Sequence, residues 1–299
     1  MKFAFAKMHG AGNDFVVVED PDAAFPAGSG GDAPDPLVRA ICARHTGIAC
    51  EGLIVLQRAT APEGTDFRMV FFNPDGSRAS MCGNGARCAA AYSCRKGWTG
   101  RTGSFATDAG TVPFEIISED GPAGWTVSVG IKDVASVVDC GALSPDGSAV
   151  PLPAGFDPTG TLLIDTGVPH AVKFCPDVAA VDVAACGAFV RYHSRFAPAG
   201  TNADFVQVAG PHEIVLRTYE RGVEAETPAC GTGVAAAAVA SMHAGFCNVP
   251  VAVRVAFGAT LSVDCASLLP GGGATGLRLV GPAAFTCVGE LETDWFSAG

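Results

Sequence analysis

The chain lacks an excess of positive charge. Its 299 residues hold 19 Lys and Arg against 30 Asp and Glu, a net charge of −11. That excludes nucleic acid or an anionic membrane surface as the main partner. If the ligand is an acid, the attracting field must be local, from helix N-termini or a single Arg. No apolar run reaches the roughly 18 residues of a membrane-spanning helix. The start MKFAFAKMHGAGNDF puts Lys7 and His9 where the apolar centre of a secretory signal would continue, so no such signal is expected. Twelve cysteines are present but no Cys-x-x-Cys pair, so the usual zinc and redox spacings are missing. There is no Rossmann fingerprint and no P-loop, and nothing in the sequence demands a cofactor or a metal. The expectation is a reduced, cytoplasmic protein whose thiols mostly serve as small hydrophobes.

With 48% hydrophobic and 16% charged residues, the chain can bury a core in one large domain or two of about 150 residues. Segments 21–36, 144–160 and 267–276 are rich in Pro, Gly and Ser and read as loops. The middle one is a candidate division. Runs rich in Val, Ile and Phe predict strands over 14–19, 53–57, 67–73, 111–117, 125–131, 161–166, 170–174, 204–208, 213–219, 251–257 and 277–281. Helices are predicted over 36–46, 84–96, 178–192 and 232–246. Strands outnumber helices, which gives an α+β class with mostly antiparallel sheet.

The two halves of the chain repeat each other. GAGNDFVVV (10–18) aligns with DTGVPHAVKF (165–174), EGLIVLQ (51–57) with NADFVQV (202–208), and FRMVFFNPDGSRASMCGNGARC with EIVLRTYERGVEAETPACGTGVA. The offset drifts slowly, from 155 residues (10 to 165) to 148 (82 to 230), and the matches keep their order. Duplication explains this better than chance. Two similar halves would then face each other, each with one Cys-Gly-polar-Gly turn before a helix of small residues.

Such a turn has a chemical meaning. Glycines let the backbone approach a ligand closely. The first turn of the helix offers N–H groups without helical partners and a partial positive charge. That end binds a carboxylate and lowers the pKa of a thiol placed there, so a thiolate is expected at each. Two such thiols on either side of an α-carbon invert it: one removes the α-proton and the other delivers a proton to the opposite face. Preorganised N–H groups on the carboxylate stabilise the enediolate-like charge, in place of a cofactor's electron sink.

The residues KMHGAGNDFVV (7–17), FFNPDGSRASMCGNGARC (71–88), GVPH (167–170), PAGTNADFVQV (198–208) and RTYERGVEAETPACGTGVAA (217–236) resemble the diaminopimelate epimerases over nearly the whole chain. The resemblance implies Cys82 and Cys230 as the acid–base pair. It implies backbone N–H groups of Gly83, Asn84, Gly231 and Thr232 on the reacting carboxylate. Asn13, Asn73, Asn202, Glu220 and Arg221 are implied around the amino groups and the distal carboxylate. His170 is implied as a helper that accepts a thiol proton, and Glu220 joins it in the catalytic set. No cofactor and no metal is implied. The fold implied is two pseudo-symmetric domains, each a mostly antiparallel barrel-like sheet around a central helix. The boundaries read as 1–127, with 283–299 returning to it through a last strand over 285–291, and 128–282. The activity implied is the interconversion of LL- and meso-diaminopimelate, a small diamino-diacid, by a homodimer.

One departure bears on the substrate. Val168 stands where many members carry Asn, and Val cannot hydrogen-bond a substrate. Either a neighbour such as Asn202 takes the role or the substrate differs. Gly52 stands where some members carry Gln. The alternatives are a two-cysteine racemase of another amino acid, of histidine or proline type, and a non-catalytic amino-acid-binding protein. The bland readings are simpler. Asn73 precedes Pro-Asp-Gly and starts a turn, Glu220 and Arg221 form a surface ion pair, and His9, Cys88 and Cys94 are structural.

Overall fold

The alanine-rich segments that follow the two cysteines fold as helices because alanine gives up no side-chain entropy there. Both are buried on every side, which small residues permit by letting strands approach all round. A computed structural model describes residues 1–299 apart from 27–32, 122–123, 146–149, 229, 257 and 297–299. The expected loops 21–36 and 144–160, the expected strand 251–257, the second cysteine stretch and the expected C-terminal return therefore fall partly outside the described residues.

The chain divides into two compact units, residues 1–129 with 281–299, and residues 130–280. The Pro-rich segment 144–160 lies inside the second unit. The first unit runs β1 (Lys2–Gly10), β2 (Asn13–Glu19), α1 (Pro36–Cys42), β3 (Leu53–Gln57), β4 (Phe67–Phe72), β5 (Arg78–Ala79), α2 (Gly83–Arg95), β6 (Thr102–Thr107), β7 (Gly110–Glu119) and β8 (Gly124–Gly130). The second begins with β9 (Val134–Asp139), β10 (Thr161–Asp165), β11 (Pro169–Phe174), α3 (Val183–Arg191), β12 (Asn202–Gly210) and β13 (Glu213–Glu220). It continues with β14 (Ala225–Thr227), α4 (Gly231–His243), β15 (Val251–Val255), β16 (Thr260–Asp264), β17 (Ser267–Leu268) and β18 (Gly272–Thr275). A final strand, β19 (Arg278–Glu292), pairs with β16 through 278–280 and with β1 through 284–292.

Each unit follows the same order of pairings. In the first, β1 and β2 pair antiparallel, β2 and β3 parallel, β3 and β4 antiparallel, and β4 parallel to β6. In the second, β10 and β11 pair antiparallel, β11 and β12 parallel, β12 and β13 antiparallel, and β13 parallel to β15. Parallel neighbours need a crossover, and a helix supplies each one. Thus α1 lies between β2 and β3, α2 between β4 and β6, α3 between β11 and β12, and α4 between β13 and β15. The class is α+β, mostly antiparallel, with a barrel-like sheet around one central helix per unit.

The central helix sets the layers. Helix α2 packs against β1, β2, β3, β4 and β7, and α4 against β9–β13, β15, β16 and β18. The outer faces carry their own cores. In the first unit Val16, Val18, Val38, Ile41, Leu53, Val55 and Phe72 pack together; in the second Ala171, Phe189, Val190, Phe205 and Tyr219 do so. Strands β2, β3 and β11 are consequently covered on both faces and read as continuous apolar runs rather than alternating ones.

Several predicted elements need correction. The segment 267–276 contains β17 and β18 rather than a loop. A Cβ on Gly273 would lie 2.2 Å from Val134 O, so glycine there marks strand backbone packed close on β9. The predicted helix 178–192 is a 3₁₀ turn, Val178–Ala180, followed by α3, whose start is fixed by Asp182 accepting from Ala185 N–H. The separate strands expected at 277–281 and 285–291 are one 15-residue strand. Strands β1, β5, β6, β9, β14 and β16 were outside the predicted set.

Candidate active site

In the first unit, β4 ends at Phe72 and a turn leads through β5 to Cys82, the N-cap of α2. Cys82 has extended backbone, and its Sγ accepts the Gly85 N–H at 3.5 Å. A Cβ on Gly85 would meet Ile54 Cδ1 at 3.0 Å, so this glycine lets the helix start seat on β3. Asn84 Nδ2 donates to Asn13 Oδ1 at 3.3 Å, and Asn13 Nδ2 donates to Glu51. Asn73 holds its own turn: its N–H reaches Ser77 O at 2.8 Å and its Nδ2 reaches Ser77 Oγ at 3.0 Å. The turn-starting reading of Asn73 is therefore present in the structure.

Arg87 organises this helix start. It is wholly buried, and its donors go to Pro282 O, Gly83 O and Asn84 Oδ1 at 3.2, 3.3 and 2.9 Å. Burial lowers its pKa to about 10, against a smaller raising interaction with the Cys88 and Cys82 thiols.

In the second unit, β11, β12, β13 and α4 bring His170, Asn202, Asp204, Thr218, Glu220, Cys230 and Thr232 together. His170 Nδ1 lies 2.6 Å from Asp204 Oδ2, and its Nε2 lies 2.9 Å from Thr232 Oγ1. Thr232 Oγ1 is 3.3 Å from Cys230 Sγ. Asn202 is 3% exposed. Its Nδ2 donates to Pro169 O at 3.0 Å, and its Oδ1 accepts the Arg221 N–H at 2.8 Å. That side chain is committed to protein partners, so it does not stand free to replace the hydrogen bond that Val168 cannot make. Glu220 accepts from Thr227 Oγ1 at 2.8 Å, and Arg221 Nη1 donates to Ala199 O at 3.3 Å. The surface ion pair between Glu220 and Arg221 is thus not what these side chains make.

The thiolate expected at both helix starts is corrected for Cys230. Burial pushes its thiol well above the usual range, and the negative Glu220 and Asp204 add to the effect. The Thr232 hydroxyl and the Gly233 N–H oppose it but do not prevail. A helix start lowers a thiol pKa only where desolvation and nearby anions allow.

Asp204, Thr218 and Arg87 escape a reading of motifs. Their signal is a charged or hydroxyl residue inside a largely apolar strand or an alanine-rich helix. Among the described residues, no group of three or more His, Cys, Asp or Glu is placed to hold a metal ion. No helix among them is long and apolar enough to cross a membrane.

A sequence model of the family described as "Diaminopimelate epimerase" matches residues 5–133 and 162–265. A diaminopimelate epimerase of Aquifex aeolicus is 40% identical over 263 residues, 87% of this chain and 89% of the relative. That of Aromatoleum aromaticum is 36% identical over 294 residues, 98% of this chain and 100% of the relative. A Bacillus anthracis phenazine biosynthesis protein of the PhzF family shares the fold at a TM-score of 0.69 and 13% identity, covering 98% of this chain and 99% of the other. A probable proline racemase from Agrobacterium radiobacter K84 does so at 0.68 and 15%, covering 97% and 93%.

Proposed function

The chain belongs to the diaminopimelate epimerase family, and we propose that it interconverts LL- and meso-diaminopimelate by cofactor-independent proton transfer at one α-carbon. The observation that carries this reading is the duplicated arrangement. Two units with the same order of strand pairings each present one cysteine at the N-cap of a buried 13-residue helix.

The reaction needs a base on one face of the α-carbon and an acid on the other. Cys82 and Cys230 take these roles, and the roles exchange with the enantiomer bound. The base thiolate removes the α-proton and becomes a thiol; the other thiol protonates the opposite face and becomes a thiolate. Atoms and charge balance, and the thiols are left in exchanged protonation states. Cys230, held protonated by burial and by Glu220 and Asp204, is the acid of the resting enzyme. N–H groups at the starts of α2 and α4, of Gly83, Asn84, Gly231 and Thr232, bind the reacting carboxylate and stabilise the charge that develops on it. Asn13, Asn73, Glu220 and Arg221 recognise the amino groups and the distal carboxylate, with Arg221 suited to a planar carboxylate and Asn202 holding the Arg221 backbone in place. His170 exchanges protons with a thiol. The working form is a cytoplasmic homodimer.

Val168 favours one other reading, a two-cysteine racemase of histidine or proline type. Proton NMR of reduced protein with LL-diaminopimelate, L-histidine and L-proline in separate deuterated samples distinguishes them. A meso signal with α-deuterium in the first sample only is expected. Exchange with histidine or proline alone would move the substrate, and exchange in none would overturn the activity.

A further inference from the structure

Strand β12 carries an aspartate whose side chain is 0% exposed. Asp204 Oδ2 lies 2.6 Å from His170 Nδ1, and its Oδ1 accepts the Thr218 hydroxyl at 2.6 Å. His170 is also 0% exposed. Its Nε2 lies 2.9 Å from Thr232 Oγ1 and 3.5 Å from Asn202 Nδ2. The Asn202 amide is oriented by Pro169 O and Arg221 N–H, so a nitrogen faces the ring.

These partners fix the direction of every hydrogen bond. A carboxylate only accepts, so Nδ1 carries the ring proton. An amide NH₂ only donates, so Nε2 offers a lone pair. The Thr232 hydroxyl then donates to Nε2, and its oxygen is left to accept the Cys230 S–H at 3.3 Å. Room for the arrangement is reserved by Gly233, where a Cβ would come 2.9 Å from Asp204 Oδ1 and 3.3 Å from His170 Cε1.

We propose that Asp204 is a positioning residue that acts through His170, holding the Nδ1–H tautomer so that Nε2, the Thr232 hydroxyl and the Cys230 thiol form a continuous proton path. The proposal rests on the epimerase reading for its kinetic consequence but not for its tautomer. When Cys230 must act as base, its S–H proton passes to the Thr232 oxygen as the Thr232 hydroxyl proton passes to Nε2. The products are a Cys230 thiolate, an unchanged Thr232 and a His170 imidazolium whose Nδ1–H stays on the Asp204 carboxylate. No electrons are transferred, and the reverse transfer restores the thiol. A thiol that burial holds protonated at rest thereby becomes available as a base, with the compensating cation already paired. Besides Asp204 itself, Glu220 also acts on Cys230, and both raise its pKa.

The test uses the full chain with ¹⁵N-labelled histidine. Imidazole NMR of the wild type is expected to show His170 protonated at Nδ1 and unprotonated at Nε2, with no substrate present. Asp204→Asn should shift the proton toward Nε2 and lower kcat about 10²-fold while KM changes little. Thr232→Val should lower kcat similarly without moving the tautomer, and Thr232→Ser should restore most of the loss. A wild-type ring protonated at Nε2, a folded Asp204→Asn with kcat within about twofold of wild type, or an active Thr232→Val would each overturn the proposal. If Asp204→Asn does not fold, the wild-type tautomer and the Thr232 pair decide. Wild-type protein inert toward LL-diaminopimelate would count against the epimerase reading instead, and the ring tautomer would still judge the role of Asp204.

Discussion

Cys82 and Cys230 hold the same place in their local sequences yet stand in different fields. The buried Arg87 cation interacts with Cys82, whereas Glu220 and Asp204 act on Cys230. Sequence spacing shows the shared turn but not the field, because Arg87 is set by its burial on α2 and the anions at Cys230 come from β12 and β13. Removing one anion should therefore be measurable. Glu220 raises the Cys230 pKa, so Glu220→Gln should lower it and move the pH profile of Cys230 alkylation to lower pH; an unchanged profile would remove Glu220 from the electrostatics. Cys82→Ala and Cys230→Ala should each cost at least about 10²–10⁴-fold in epimerisation. Asn202 is a stability prediction as well as a site one. Asn202→Ala strands the Arg221 N–H and Pro169 O, and urea unfolding should show a loss of about 1–3 kcal/mol.

At the scale of elements, the central helices decide how closely the strands can wrap. Ala90 on α2 and Ala237 on α4 are 0% exposed, on helices that pack against strands of their own units. Ala90→Leu and Ala237→Leu should each destabilise by about 1–3 kcal/mol or more through overpacking, seen as a lower Tm. An unchanged Tm would mean that the sheets relax more readily than their packing implies. These helices were legible because runs of alanine behind Gly-polar-Gly have one structural meaning. Strand β1 was not, because Ala, Lys, His and Gly dilute its apolar pattern and its pairing with β19 shifts register between Lys7 and Met8. Strand β18 was hidden for another reason. Its glycines signal a loop in one dimension and a close backbone approach in three.

For the molecule as a whole, the repeat in the sequence reappears as the same order of strand pairings in both units. The duplication was legible from the alignment of GAGNDFVVV and the cysteine turns with their later counterparts. The place where one unit ends was not legible from composition, since residues 129–130 and 280–281 carry no Pro or Gly run like that at 144–160; the bounds 1–127 with 283–299 and 128–282 were implied by the family resemblance alone. Buried thiols also give the molecule an alkaline limit. Burial raises Cys88 from 9.0 to about 12. Its folded pKa lies above the unfolded one, so the stability it contributes is complete below pH 9 and is lost as pH rises toward 12. Over that window each such thiol should steepen the loss by about 1.4 kcal/mol per pH unit, and Cys88→Ala should flatten it. A slope unaffected by that substitution would assign alkaline unfolding to other groups.

On the proposed reading, two different thiols serve the two faces of one carbon. The most direct measurement is the initial-rate epimerisation of protium LL-diaminopimelate in deuterated water, read by proton NMR and mass spectrometry. Two bases predict that early meso product carries solvent deuterium at the inverted carbon while unreacted substrate keeps its α-protium. Early product that retains α-protium would mean that a single group carries the proton across, and would contradict the account.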